Sequence, residues 1–392
     1  MPAETAQPRR LQALGLGLGG VAAAALFIHV NGATPAKAPL VLIGLAMGVA
    51  LYHASFGFTG AYRRAIIARD MTGIVAQAVM LGLAMVMFAP FLAAGEAFGR
   101  PVGGAVAPVG ISMAFGAFIF GIGMQLGGGC ASGTLFTVGG GSLRMVVVLV
   151  FFCLGCFAAT FHMAWWWSLP DAGRVSLAAA LGWPGALGLQ AAGLIGALAM
   201  LRWWGATTDA RLWSGGGGWR SVFQGPWPLI WTAVALAVLN WATLVNAGHP
   251  WSITWGFTLW VAKGAAALGW DPGAQAFWSG GFQQRALGRS VLADTTTVMN
   301  MAIIIGAFAA AALTGRLRFG FQIPARSLLA AVIGGLIMGY GARLAYGCNI
   351  GAFFSGIAST SLHGWVWIVA AAAGNVIGVR LRPAFGLKNE TS

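Results

Sequence analysis

Two cysteines stand in matching glycine frames 218 residues apart, Gly121-Ile-Gly-Met-Gln-Leu-Gly-Gly-Gly-Cys130-Ala-Ser-Gly133 and Gly339-Tyr-Gly-Ala-Arg-Leu-Ala-Tyr-Gly-Cys348-Asn-Ile-Gly351. Laid over each other, Gly116/Gly334, Gly121/Gly339, Gly123/Gly341, Leu126/Leu344, Gly129/Gly347, Cys130/Cys348 and Gly133/Gly351 coincide without a gap. Such glycine density predicts a break in a helix at each thiol. Glycine lets backbone approach a solute closely. A new helix start presents unpaired N–H groups that favour anions and activate a thiol. One buried cysteine alone reads as a small packing residue. Two in register read as a pair that recognises a solute, with Gly129, Gly133, Gly347, Gly351 and Asn349 beside them.

Other reactive side chains carry less. Arg343 lies five residues before Cys348 inside an apolar span, with Gln125 as its counterpart. It either draws in an anion or anchors the helix by reaching to the interface, and the sequence leaves both open. Cys153 and Cys156 have no second ligand pair and read as helix packing. His29, His53, His162, His249 and His363 show no spacing for haem or metal, and no phosphate-binding Gly-x-x-x-x-Gly-Lys-Ser/Thr loop is present. No cofactor is implied.

The elements that must position these groups are membrane helices. The chain is 58% hydrophobic and 8% charged, with a mean hydropathy of +0.80, whereas soluble domains carry about a quarter charged residues. Apolar runs long enough to cross a bilayer fall over roughly 12–29, 39–55, 71–93, 109–127, 144–166, 178–201, 228–246, 296–314, 327–345 and 363–380. Segment 249–270, with His249, Pro250, Lys263 and Asp271, reads as re-entrant or interfacial. Trp165–Trp167 read as interfacial anchors. Arg9-Arg10, an apolar stretch and Pro35-Ala-Lys-Ala38 faintly resemble a cleavable leader, but a retained first helix is the preferred reading. The net charge of +14 is spread between apolar runs, which points to anionic lipids and an anionic solute, not to nucleic acid.

The duplication reaches upstream of the cysteines. Gly57-Phe58 precedes Asp70, and Gly281-Phe282 precedes Asp294, by the same interval, with Thr72 and Thr296 two places on. Both aspartates read as helix N-caps in preference to proton relays. With the N-terminus cytoplasmic and 249–270 not spanning, fifteen basic residues fall inside and six outside, as the positive-inside bias requires. That places the two halves in opposite orientations. The expected fold is an all-α polytopic membrane protein of two inverted repeats, with interrupted or re-entrant helices around a central path and about 9–11 spans. Its expected regions are 1–38, an N-terminal helix; 39–205, the first repeat half; 206–225, a flexible aqueous loop with Gly215–Gly218; and 226–392, the second half.

Leu-Gly-Gly-Gly-Cys130-Ala-Ser-Gly-Thr and Gly-Tyr-Gly-Ala-Arg-Leu-Ala-Tyr-Gly-Cys348-Asn-Ile-Gly-Ala-Phe-Phe-Ser-Gly-Ile resemble the paired motifs of the YeeE/YedE family. Phe56-Gly-Phe-Thr-Gly-Ala-Tyr-Arg63 resembles a third. The likeness covers roughly 40–380. It implies a bacterial inner-membrane permease for thiosulfate or a related reduced sulfur anion, passed along cysteine thiols by hydrogen bonds, with Cys130 and Cys348 as two of the stations. The third family cysteine falls at Gly57, where this chain has no thiol. The resemblance also implies a small sulfur-carrier protein of the TusA type as a partner, and a link to selenium in some members. The rival expectations are a membrane thiol oxidoreductase using Cys130 and Cys348, and a scaffold that docks the carrier without moving solute.

Overall fold

The computed structural model describes residues 9–216, 218–320 and 322–389. The outermost ends of the first and last expected regions, and Gly217 of the glycine run, lie outside them. The longer helices are α1 (Arg9–Ala33), α2 (Ala38–Ala54), α3 (Phe58–Ala68), α4 (Thr72–Ala94), α5 (Ile111–Gly127), α6 (Ala131–Gly139) and α7 (Leu143–Thr160). After them come α8 (Leu177–Trp203), α9 (Leu229–Ala247), α10 (Thr254–Ala267), α11 (Gly281–Gly288), α12 (Thr295–Leu313), α13 (Ala325–Leu344) and α14 (Leu362–Leu381).

Among the described residues, ten helical stretches are long and apolar enough to cross a membrane. They match the ten expected runs, and the protein is an all-α polytopic membrane protein. Most of these helices are apolar on every face, as expected where one side meets lipid and the other meets protein. Two short strand pairings, Glu96–Ala97 with Arg100–Pro101 and Pro108–Gly110 with Asp171–Arg174, tie loops together. The 14 residues of α10 cover about 21 Å at helical rise, short of a bilayer core. The stretch before it is buried at Trp251 and Ile253.

The centre of the fold is the crossing of α5 and α13, and glycine makes it possible. A Cβ on Gly116 would lie 2.7 Å from the Gly341 carbonyl oxygen, and one on Gly341 would lie 2.4 Å from the Gly116 oxygen. A Cβ on Gly123 would lie 2.8 Å from the Gly334 oxygen, and one on Gly334 would lie 2.9 Å from the Gly123 oxygen. Small residues allow backbones to meet this closely, which is how membrane helices associate without a hydrophobic drive. These contacts are reciprocal. Gly116 corresponds to Gly334 in the aligned frames and Gly341 to Gly123, so one glycine contact maps onto the other. Helices α7 and α14 flank the crossing in the same way. Gly339 is pressed on the Phe152 oxygen and Gly121 on the Ala371 oxygen.

The first helix belongs to the body. Gly15 and Gly19 of α1 pack on Ala312 and Ala309 of α12, and Gln12 donates to the Leu317 carbonyl. The loop at 206–225 also makes contacts with the body. Thr207 and Met71 exchange backbone contacts through the 69–71 turn, Asp209 N–H donates to Thr72 Oγ1, and Leu212 is buried. The arginine network Arg64–Asp70–Arg211–Asp209 closes this junction. Over 207–212 the loop is tied to the α3–α4 turn by backbone contacts and by the Asp70 carboxylate.

Candidate substrate path

The break at Cys130 is held from both sides. Helix α5 ends at Gly127, and Gly128 turns the chain at φ 86°. Cys130 is then the N-cap of α6, its Sγ accepting from the Gly133 amide at 3.5 Å with Ser132 Oγ at 3.3 Å. The Cys130 carbonyl accepts from Thr134 N and Oγ1. The last carbonyls of α5 would be orphaned inside the membrane. Instead Arg382 donates to the Gln125 oxygen at 2.7 Å, and Arg144 donates to the Leu126 and Gly127 oxygens at 2.8 and 2.5 Å. Neither arginine stood out in the sequence, since their targets are remote in the chain and only charge counting touched them. Gln125 itself bridges α3 and α14, donating to the Thr59 carbonyl and to Asn375.

The second break is tighter. After α13 ends, Tyr346 adopts φ 59° and Gly347 φ 152°, where a side chain would collide with the Ala352 amide 2.8 Å away. Cys348 caps the next turn, its Sγ accepting from Ile350 N at 3.4 Å. The chain continues as a π-turn, Asn349–Phe354, and a last helical turn, Ser355–Ala358. Asn349 is buried and donates to Tyr62 Oη at 3.4 Å. Gly351 faces Ser252, and a Cβ there would sit 3.3 Å from Ser252 Oγ.

Both thiols are fully buried, each as the N-cap of the turn that follows its helix break. A cavity of about 540 Å³ opens on the Cys130 side, lined by Gly57, Thr59, Arg64, Gly129, Cys130, Gly133, Arg316 and Arg318. A second, of about 300 Å³, is lined by Lys37, His249, Ser252, Trp255, Arg285, Arg289 and Asp294. Ser252 belongs to this second cavity and touches Gly351, so it connects the cavity to the Cys348 turn. An aromatic run ties the first turn of α3 to the π-turn after Cys348. Phe58 meets Phe353 edge-on at 6.3 Å, and Phe353 stacks on Trp367 at 6.2 Å.

The remaining candidates fall into place. Arg343 packs with its guanidinium 6.0 Å from Trp255 and 5.7 Å from Phe277, and its Nε has no partner. It therefore sits behind Trp255, a wall of the second cavity, and is held there by cation–π contacts. Cys153 and Cys156 are buried in the α7 packing face. Cys156 lies close to both Arg343 and Cys348. Asp294 is the N-cap of α12 and accepts from the Thr297 amide, whereas Asp70 stands one residue before Met71, the N-cap of α4, and accepts from the first helical amide, that of Thr72. Gly57 is the N-cap of α3 and faces the arginine-lined cavity, with no thiol.

Comparison with known proteins bears on this arrangement. The sulphur transport family pattern matches residues 53–377. The chain belongs to this family. It is 33% identical over 169 residues to a protein named probable transporter YedE from Escherichia coli (strain K12), covering 43% of this chain and 40% of that protein. The Salmonella typhimurium protein of the same name is 32% identical over the same length. The match thus spans less than half the length of these curated relatives. A protein named thiosulfate transporter TsuA, from Spirochaeta thermophila, is 26% identical over 351 residues, 86% of this chain and 96% of that protein. Ten apolar helices and this family membership make the chain a multi-pass protein of the bacterial inner membrane.

Proposed function

We propose that the protein is a permease for thiosulfate or a similar reduced sulfur anion, and that the anion passes Cys130 and Cys348 by hydrogen bonding to their thiols. The observation that carries this reading is a pair of buried, N-capping thiols, Cys130 lining one basic cavity and Cys348 on a turn whose Gly351 packs by Ser252 of the other. A thiol is a weak donor, so it holds a soft anion without trapping it, and conduction needs weak binding at several points. Arginine and lysine on both cavities concentrate anions at each mouth. Full burial of both thiols argues against the oxidoreductase alternative, since a redox partner needs access to sulfur.

On this reading the two halves are inverted repeats, and the reciprocal glycine contacts of α5 and α13 support that. The arginine-rich end, with Arg64, Arg144, Arg316 and Arg318, faces the cytoplasm, where anionic lipids and a TusA-type sulfur carrier are the partners. Uptake of labelled thiosulfate into proteoliposomes tests the reading. Wild-type protein should exceed empty liposomes severalfold, and Cys130→Ala and Cys348→Ala should each fall close to the empty level. Wild-type uptake equal to empty liposomes would falsify the permease. Full uptake in both variants would leave the permease and remove the thiol relay.

A further inference from the structure

The first turn of α3 holds chemistry that the thiols do not account for. This helix of 11 residues begins at Phe58, and its N-cap is Gly57, which provides no side-chain hydrogen bond. The opening amides of a helix have no partner within it. Above them the space is open, since a Cβ on Gly57 would meet nothing nearer than the Ser55 oxygen at 3.9 Å. Thr59, in the same turn, is only 2% exposed, lines the arginine-rich cavity, and has a hydroxyl without a partner. As the second residue of the helix, Thr59 has no helical carbonyl one turn back to take its proton, whereas Thr134, two positions further into its own helix, donates to the Cys130 carbonyl. Arg64 completes the set, with its Nη1 3.7 Å from where a Cβ on Gly60 would stand. Among the described residues lining this cavity, Arg64, Arg316 and Arg318 are cationic and none is acidic.

We propose that this turn is an oxyanion-binding station, in which the Phe58–Gly60 amides, the Thr59 hydroxyl and the Arg64 guanidinium hold the oxygen end of a small divalent sulfur oxyanion. The inference deepens the permease reading and rests on it for the identity of the anion. Amides, hydroxyl and guanidinium are donors suited to oxygen, and ionised oxygens strengthen each bond. Gly57, Thr59 and Gly60 line the same cavity as Cys130, so station and thiol adjoin. An anion with its oxygens on α3 therefore turns its terminal sulfur toward Cys130. The station explains how a cavity with a single thiol grips both ends of an asymmetric anion. Sulfate shares only the oxygen end.

The test is equilibrium binding of labelled thiosulfate, and its competition by sulfate, on the full purified chain in lipid nanodiscs. Thr59→Val removes only an unpartnered hydroxyl, so it should leave the unfolding midpoint unchanged or higher while weakening both anions by about tenfold. Gly57→Asp places a carboxylate over the open amides and should abolish binding of both. Cys130→Ala should weaken thiosulfate and spare sulfate. Wild-type binding in Thr59→Val and Gly57→Asp, with wild-type uptake intact, overturns the station and leaves the permease standing. The predicted losses in a protein whose wild type takes up no thiosulfate overturn the permease and leave the station.

Discussion

The two cysteine frames share a sequence plan, yet they are supported in different ways. At Cys130 the preceding helix ends on three carbonyls clamped by Arg144 and Arg382, and the thiol borders a cavity of about 540 Å³ rich in arginine. At Cys348 no arginine clamps the helix end. The turn is packed among Phe353, Phe354 and Trp251, and Asn349 ties it to Tyr62. Duplication supplied both thiols, but their environments have diverged into an open basic end and an enclosed aromatic one. On the permease reading, an anion passing between the two basic cavities meets its barrier at the enclosed stretch around Cys348. Barrier and binding are then separable by mutation.

The largest effect should come from the clamp. A carbonyl left unpaired in a buried setting costs about 1–3 kcal/mol, and Arg144 serves two while Arg382 serves one. Arg144→Ala should therefore lower the unfolding midpoint in nanodiscs more than Arg382→Ala does. Arg144→Lys should recover only part of the loss, because a single ammonium lacks the fork that spans adjacent oxygens. Arg343→Ala, in the other frame, loses only its aromatic contacts, worth about 1 kcal/mol. If Arg343→Ala proves as damaging as Arg144→Ala, the contrast between the frames is wrong.

The aromatic end gives the next effect. Phe353→Leu trims the ring that meets Phe58 and stacks on Trp367. It should raise anion flux severalfold and admit sulfate, while thiosulfate affinity stays near wild type. Phe136→Leu, on the wall of the already open cavity, should alter neither. Equal behaviour of the two variants in a flux assay would place the barrier elsewhere.

Much of this was legible in the chain because membrane helices obey local rules. Ten apolar runs, the helix break at Gly127–Gly129 and the capping role of Asp294 depend on residues near one another in sequence. The clamp was hidden because Arg382 reaches the Gln125 carbonyl across 257 positions, and a backbone oxygen has no sequence signature. Ser252 and Tyr62 escaped for the same reason: each matters through Gly351 or Asn349, which only the folded crossing brings near. Arg343 could not be resolved between two roles from sequence, since what decides is the pair of rings around it. The ties of the glycine-rich loop to the α3–α4 turn were hidden because composition does not report the Asp70 carboxylate waiting there.

The matched aspartates give the smallest effect and the finest test. Asp294 accepts from Thr297 N at 2.8 Å and from Trp255 Nε1 at 3.1 Å; Lys37 and Lys263 feel its charge, but among the described residues no ion pair closes on it. Asp70 accepts from the first amide of α4 but also pairs with Arg64 and Arg211, and Arg211 in turn holds Asp209. Partial burial pushes the Asp209 carboxyl up, but hydrogen bonds from the Arg211 side chain and amide outweigh it and hold the group below its usual value. A depressed folded-state pKa contributes stability that is fully present above the unfolded value and fades as pH falls through the folded one. The Asp209–Arg211 contribution should thus be intact at neutral pH and decline below about pH 4. Both side chains are nearly half exposed, so its size is within about 0.5 kcal/mol and shrinks in high salt. Asp209→Asn should lower the unfolding midpoint slightly in low salt and not at all in high salt. Asp294→Asn, deprived of a charged cap and weakening its hold on Trp255, should lower it in both, with only the share due to Lys37 and Lys263 lost in high salt. An effect of Asp294→Asn that vanishes in high salt, or one of Asp209→Asn that persists there, would erase the distinction between a solvated clasp at one end and a packed one at the other.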